Sequence, residues 1–559
     1  LVLSLILIGV SFAQRGRDGT VQLIYWQAIS ILNPYLSGGT KDIFGSSIVL
    51  EPLARYDTDG NLVPWLAADI PTVDNGGIAE DLTSITWTLK EGILWSDGTP
   101  FTAEDVVFTA EYCMSPEAGC VASNFFADVA SVEALDELTV RVNFSVPKPN
   151  PFSVFVGAES PILQKAQFEN CVGIRAQECT AQNFGPIGTG PYVVADFRVN
   201  DVVTYEANPL YREEDKPAFQ TVIIKGGGDA ASAARAVLET GEADWAWNLQ
   251  VAPEVLAQMV AAGNGQLEVS YGTSVERVLV NFANPDPALG ENRSEYMDGN
   301  NPHPFLTDYN VRRALSKAID TEILVEIGYS GTGTTTCNII PAPAIYASDA
   351  NDECLVQDLE EANRLLDEAG WVRGADGVRA KDGVRLSMLF QTSTNPVRQD
   401  FQALLKEWWE EIGFEVELRN IDAGVFFGND ISSPDTYGKF YADLQMFTSS
   451  ASGTDIESYL ARWTCDEIAG RANQWLGSNQ HRWCNPEYDA LADELAQTVD
   501  IDARAAIIKQ MNDLLVQDYV VFPLVYRGDV SARANSLMGT AKNSFDSELW
   551  NIADWYRGE

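Results

Sequence analysis

Strand-like and helix-like segments alternate along this chain from end to end, and that alternation restricts it to an α/β architecture. Trp87-Thr-Leu-Lys90 alternates apolar and polar residues, and Ser96-Asp97-Gly98 supplies a turn. Thr102-Ala-Glu-Asp105 then reads as a capping box that opens a helix through Val106, Val107 and Ala110. In the second half, Phe401, Leu404, Leu405, Trp408 and Ile412 share one helical face. Gly413 ends that helix, and Phe414, Val416 and Leu418 begin a strand, which completes a β-α-β crossover. A chain of 559 residues exceeds what one core organises, so two or three lobes are expected.

The cysteines and the charge place this architecture outside the cytoplasm. Eight cysteines fall into four sequence-local pairs: Cys113/Cys120, Cys171/Cys179, Cys337/Cys354 and Cys465/Cys484. Pairing between neighbours closes short surface loops with least strain on the rest of the fold, so four local disulfides are expected. No metal site is expected, because no C-x₂-C occurs and His303 and His481 are the only histidines. The apolar run Leu1–Val10 followed by Ser11-Phe12-Ala13 reads as the remainder of a secretory signal peptide cleaved after Ala13. A periplasmic or extracellular location follows. With 37 Lys+Arg against 80 Asp+Glu, the net charge of −43 repels nucleic acid and anionic lipid, so neither is expected as a partner.

Signatures of catalysis are missing. The chain has no G-x-S-x-G elbow, no phosphate-binding loop and no H-E-x-x-H, so no catalytic residue and no cofactor is assigned. Among enzymes, a secreted hydrolase using a carboxylate pair remains as the alternative, because 80 acidic residues make such pairs abundant. Aromatic residues are dense (14 Trp, 19 Tyr and 24 Phe), and many lie at strand ends. Such positions suit a cleft that holds a flexible ligand by stacking and apolar contact.

Five ordered segments resemble the large extracellular solute-binding proteins of ABC importers, the oligopeptide/dipeptide-binding family 5. They are Ile31-Leu-Asn-Pro-Tyr35; Leu50-Glu-Pro-Leu-Ala-Arg-Tyr-Asp57 with Leu62-Val-Pro-Trp-Leu-Ala67; and Trp95-Ser-Asp-Gly-Thr-Pro-Phe-Thr-Ala-Glu-Asp-Val106. Gly188-Thr-Gly-Pro-Tyr192 with Asn208-Pro-Leu-Tyr211, and Asp308–Asp320 with its V-R-R-A core, complete the set. Gly188 and Gly190 read as positions of positive backbone torsion before Pro191. The resemblance implies a type II periplasmic-binding-protein fold, with two α/β lobes joined by two crossovers and closing at a hinge. An extra subdomain would be inserted early in lobe one. The corresponding division is a signal peptide at 1–13, lobe one at 14–48, 186–277 and 520–559, the insertion at 49–185, and lobe two at 278–519.

The same resemblance implies a monomeric, non-enzymatic trap that captures peptides or peptide-like solutes and docks on membrane permease subunits. An oligosaccharide-binding member of the family is the alternative within the fold. One departure bears on the ligand. Where peptide-binding members place an Asp for the ligand's ammonium, this chain has Ser452, with Asp455 three residues on. Ligands of open α/β sheets bind beyond the carboxyl ends of strands, and three segments follow strand-like runs. Trp26 and Gln27 form the first, Trp245, Trp247 and Asn248 the second. The third holds Phe447, Ser449, Ser450, Ser452 and Asp455. The tryptophans are expected to roof the ligand, Gln27 and Asn248 to bond its backbone, and Asp455 to meet a cationic group.

Overall fold

The computed structural model describes residues 15–115, 117, 119–451 and 456–558. The expected signal segment, residues 1–13, lies outside them, as do Ser452 and Asp455.

Each lobe is built on one mixed sheet. The first sheet orders its strands as Gly265–Ser270, Asp529–Ala534, Trp245–Ala246, Thr20–Tyr25, Thr221–Gly226, Val202–Ala207 and Tyr192–Arg198. The second runs Gly333–Thr335, Val521–Arg527, Val275–Val280, Leu444–Ser449, Ser387–Ser393 and Glu415–Ile421. The expected crossover is present: strand Ser387–Ser393 lies parallel to Glu415–Ile421, and the helix Pro396–Glu411 joins them. Phe401, Leu405, Trp408 and Trp409 are the buried face of that helix, and they pack into the core of the second lobe. Among the described residues no helix is long and apolar enough to cross a membrane.

The chain passes between the sheets twice, at residues 271–274 and at Gly528. These crossings correct the expected limits at 277/278 and 519/520. Val275–Val280 pairs along its whole length with Leu444–Ser449, so it belongs wholly to the second sheet. The apolar run at 521–525 is likewise an interior strand of that sheet, held between Val275–Val280 and Gly333–Thr335. Arg527 N–H donates to the Ser274 carbonyl at 3.1 Å, so the two crossings lie side by side.

Residues 49–185 contain a three-stranded antiparallel sheet of Ser84–Thr88, Thr139–Phe144 and Val129–Asp136, covered by the helix Ala103–Met114 over a separate core. The W-S-D-G segment is explained here by one carboxylate. Asp105 accepts from the Thr102 N–H at 3.0 Å, from the Trp95 indole at 3.2 Å and from the Lys165 N–H at 3.0 Å. The motif is thus a strand-to-helix corner locked by its own last acid.

A second carboxylate ties two more of the segments together. Glu51 is fully buried, accepts a two-pronged bond from Arg212 at 2.7 and 3.0 Å, and also takes Thr189 Oγ1 at 2.8 Å and the Trp65 indole at 2.7 Å. The glycines beside Thr189 differ from expectation. Neither Gly188 nor Gly190 has a positive φ. They are required because the chain runs against residues 48–49: Gly190 N–H donates to the Val49 carbonyl at 2.9 Å, and a Cβ on Gly188 would overlap that same carbonyl. Gly188→Ala is therefore expected to destabilise the protein by about 1–3 kcal/mol, the usual cost of overpacking. Urea unfolding at constant m-value measures it, and an unchanged midpoint would contradict the steric account.

All four disulfides form between the expected neighbours, with Cα–Cα separations of 5.2 Å for Cys113–Cys120, 5.8 Å for Cys171–Cys179, 5.7 Å for Cys337–Cys354 and 4.7 Å for Cys465–Cys484. Asp489 approaches the last pair, but the two sulfurs are bonded to each other and offer no thiolate to a metal.

Candidate functional site

A cavity of about 250 Å³ lies between the lobes and is lined from both of them and from the inserted subdomain. Strand geometry delivers its side chains. Gln27 follows the strand Thr20–Tyr25, and Trp247 and Asn248 follow its short parallel neighbour Trp245–Ala246. Phe447, Ser449 and Ser450 come from the last turns of strand Leu444–Ser449 and the residue beyond it. Ser274, Arg527 and Asp529 line the cavity from the two crossings themselves.

The six positions Gln27, Trp247, Asn248, Phe447, Ser449 and Ser450 are thus brought to one cavity, whereas Trp26 and Trp245 are not. Position along the strand explains the difference for the second segment: Trp245 lies within the strand Trp245–Ala246, whereas Trp247 and Asn248 lie beyond its end. Trp245 is turned into the first lobe's core, tilted against Trp555 at 5.1 Å, with its indole donating to Glu548 at 2.9 Å. Trp26 packs beneath the helix Ala230–Leu238, and its indole donates to the Asn248 carbonyl at 2.8 Å. Asn248 has φ +53°, a left-handed conformation that Asn tolerates better than most residues. Trp26 therefore acts at one remove, by fixing the turn that presents Asn248. Trp247 is stacked on Tyr25, with ring centroids 4.9 Å apart, so its indole plane is held rigidly at the wall.

Charge is the feature that the strand-end argument missed. Six cations line the cavity: Lys41, Arg277, Arg398, Arg462, Arg527 and Lys542. Five have carboxylate partners: Asp42 with Lys41 at 2.6 Å, Glu276 with Arg398 at 2.8 Å, Glu159 with Arg462 at 3.6 Å, Asp529 with Arg527 at 3.5 Å and Glu548 with Lys542 at 2.6 Å. Glu276 is wholly buried. Burial raises its carboxyl, but the charge and hydrogen bonds of Arg398, with Arg527 and Thr448 behind them, outweigh this and hold it below its ordinary value.

Arg277 has no carboxylate partner among the described residues. It is only 4% exposed, sits where a β-bulge interrupts pairing with Val521–Arg527, and lies over the rings of Trp463 at 5.1 Å and Tyr459 at 5.6 Å. Burial lowers its guanidinium from the ordinary value and Arg462 adds to this, against the opposing effect of Tyr459. An arginine remains charged even so. His481, also on the wall, is pushed down to about 3 by burial and then by Arg277, and is neutral at physiological pH. One sequence signal pointed to this cluster: Glu276 and Arg277 interrupt the otherwise apolar strand Val275–Val280, and a charge inside a buried strand needs a reason.

Comparison with known proteins gives the following. The family described as bacterial extracellular solute-binding proteins, family 5 Middle, matches residues 61–470. Protein XP55 of Streptomyces lividans is 28% identical over 489 residues, which cover 87% of this chain and 80% of that protein. The glutathione-binding protein GsiB of Escherichia coli (strain K12) is 23% identical over 516 residues, covering 91% and 89%. The oligopeptide-binding protein AppA from Bacillus subtilis, in complex with a nonapeptide, superposes with a TM-score of 0.83 at 22% identity, over 98% of this chain and 100% of that one.

Proposed function

We propose that this chain, which belongs to the bacterial extracellular solute-binding proteins of family 5, captures a peptide or peptide-like solute in the interlobe cavity and delivers it to the permease of an ABC importer. Membership makes it a binding protein and removes the carboxylate-pair hydrolase from consideration. The observation that carries the ligand reading is a cavity walled by both lobes and by both crossings, so that rotation about the crossings opens and closes it. A solute held there contacts rigid aromatic surface from Trp247 and Phe447, and amide and hydroxyl groups from Gln27, Asn248, Ser449 and Ser450. The volume of about 250 Å³ lies just below the ~300–1,000 Å³ typical of small-molecule sites, which favours a short ligand. The abundance of charged side chains on the wall favours a peptide-like solute over a neutral oligosaccharide. Two relatives, GsiB and AppA, carry peptide ligands in their names, which agrees with this reading.

The test is native mass spectrometry of protein purified from its source, followed by calorimetry with the solute it releases. A mass excess lost on denaturation and fragmenting as a peptide is expected. Ser450→Trp, which fills the cavity from a partly exposed position, is expected to weaken that solute at least about 100-fold, or ~2.8 kcal/mol, with an unchanged melting temperature. A released sugar would replace the peptide reading, and undiminished affinity in Ser450→Trp would place the site elsewhere.

A further inference from the structure

Burying a charge without a counterion is costly, and proteins pair such groups or give them a ligand. Arg277 is the one lining cation without a carboxylate among the described residues, in a protein carrying 80 acidic side chains. A shortage of available acids therefore does not explain it. The nearest acid in sequence, Glu276, is committed to Arg398 through two hydrogen bonds and to Thr448 through a third. Arg462, the neighbouring cation, is itself held by Glu159.

We infer that the cavity is built for a carboxylate-bearing, net anionic solute and that Arg277 is the residue that receives the carboxylate. This deepens the proposed function and rests on the cavity being the solute site. Three features of the side chain carry it. The rings of Tyr459 and Trp463 pack beside the guanidinium, fixing its plane. Its one side-chain hydrogen bond among the described residues runs from Nη1 to the Tyr459 hydroxyl, which fixes its rotation. Nε is buried and has no partner among the described residues. Among the described residues neither Nε nor Nη2 of this guanidinium has an acceptor, and that unsatisfied edge matches the two oxygens of a carboxylate in a two-pronged bond. His481, on the same wall, is neutral and neither competes as a cation nor repels the anion. The inference also reverses the expected polarity of the site: the anchor is a cation for the ligand's carboxylate, where the sequence had suggested Asp455 for an ammonium.

The experiment uses defined probes and the full chain. A pool of Asp- and Glu-containing di- and tripeptides is compared with the same peptides carrying Asn and Gln and a C-terminal amide, and with Lys-containing amides. Galacturonate is compared with galactose. Binding is read by calorimetry on the wild type, Arg277→Gln and Arg277→Lys. The acidic peptides are expected to bind at least 100-fold more tightly than their neutral counterparts. Arg277→Gln should lose at least 100-fold, and Arg277→Lys, which keeps the charge but not the fork, an intermediate amount. Unliganded Arg277→Gln should melt higher than the wild type, because the buried unpaired charge is gone; a merely structural arginine would give the opposite sign. Binding of galacturonate alone would uphold the anionic site while overturning the peptide reading. Equal or tighter binding of neutral or cationic probes, no binding of any anionic probe, or unchanged affinity in Arg277→Gln would overturn the inference, and the probe comparison on the wild type holds even if a variant fails to fold.

Discussion

Glu51→Ala is expected to lower the unfolding free energy by about 3–5 kcal/mol, the range found when one partner of a buried ion pair is removed. The substitution leaves the half-buried Arg212 guanidinium without its counterion and strips the Thr189 hydroxyl and the Trp65 indole of their acceptor. Trp65 also lies under the Arg212 guanidinium, at 5.5 Å, so both sides of that stack lose their anchor. Three separated stretches of chain meet at this carboxylate, and the loss should therefore be cooperative across the first lobe and the inserted subdomain. Glu51→Gln, which keeps an oxygen acceptor, should fall between wild type and alanine. Burial raises the Glu51 carboxyl, yet Arg212 outweighs burial and holds it below its ordinary value. A depressed carboxyl contributes stability above its unfolded value near 4.3 and loses it as pH falls through the lower folded value. The wild type should therefore lose stability below about pH 4, and Glu51→Gln should lose less over that interval. Urea unfolding across pH 3–7 reads both, and a cost of less than about 1 kcal/mol at pH 7 would mean that Arg212 finds other partners.

Arg398→Met carries an expected cost of similar size, about 3–5 kcal/mol, for the opposite reason. It leaves Glu276, which has no exposed surface, with the Thr448 hydroxyl at 2.5 Å and the Tyr329 hydroxyl at 3.4 Å as hydrogen-bond donors. In the wild type the Glu276 carboxyl is depressed, so its contribution is present above the unfolded carboxylate value and lost in acid. Without Arg398, burial dominates and the carboxyl moves up, so the variant loses stability as pH rises above the unfolded value. The gap between the two proteins should thus be wide at pH 7 and narrow as pH approaches 4. The double variant Glu276→Gln/Arg398→Met should recover much of the loss, since neither member of the pair is then charged. A double variant as unstable as the single one would show that the loss comes from packing of the arginine stem. Arg398 also lines the cavity, so ligand affinity should fall in the single variant.

The fold was legible because its determinants are local. Capping, helical periodicity and the cysteine spacings act over a few residues, and the Trp95–Asp105 corner closes within its own motif. Positions following strands were also readable, since the end of a strand can be seen in one dimension; Gln27, Asn248, Ser449 and Ser450 reached the cavity on that basis. Which tryptophan reaches the cavity was not readable, because Trp245 is held inside the sheet by pairing with Arg533, nearly 300 residues away, while Trp247 lies just past the end of that two-residue strand. The ion pairs of the cavity were invisible for the same reason. Glu276 meets Arg398 across 122 positions, and Glu159 meets Arg462 from a different subdomain. Gly188 and Gly190 were identified as necessary glycines but for the wrong cause, since close approach to residues 48–49 leaves no trace in sequence distinct from a left-handed turn.

The placement of Val521–Arg527 and Asp529–Ala534 has a consequence for the order of synthesis. Each is an interior strand, one in each sheet, and both are made after the residues of every other strand of the two sheets. In the first sheet Asp529–Ala534 is the bridge between Gly265–Ser270 and Trp245–Ala246; in the second, Val521–Arg527 joins Gly333–Thr335 to Val275–Val280. A nascent chain that has reached residue 520 therefore carries two sheets with unfilled slots, and neither lobe can complete its hydrogen bonding ahead of the other. Domains that are contiguous in sequence fold one after another as they emerge. These two lobes must finish together, once residues 521–534 have been made, with open strand edges exposed until they do.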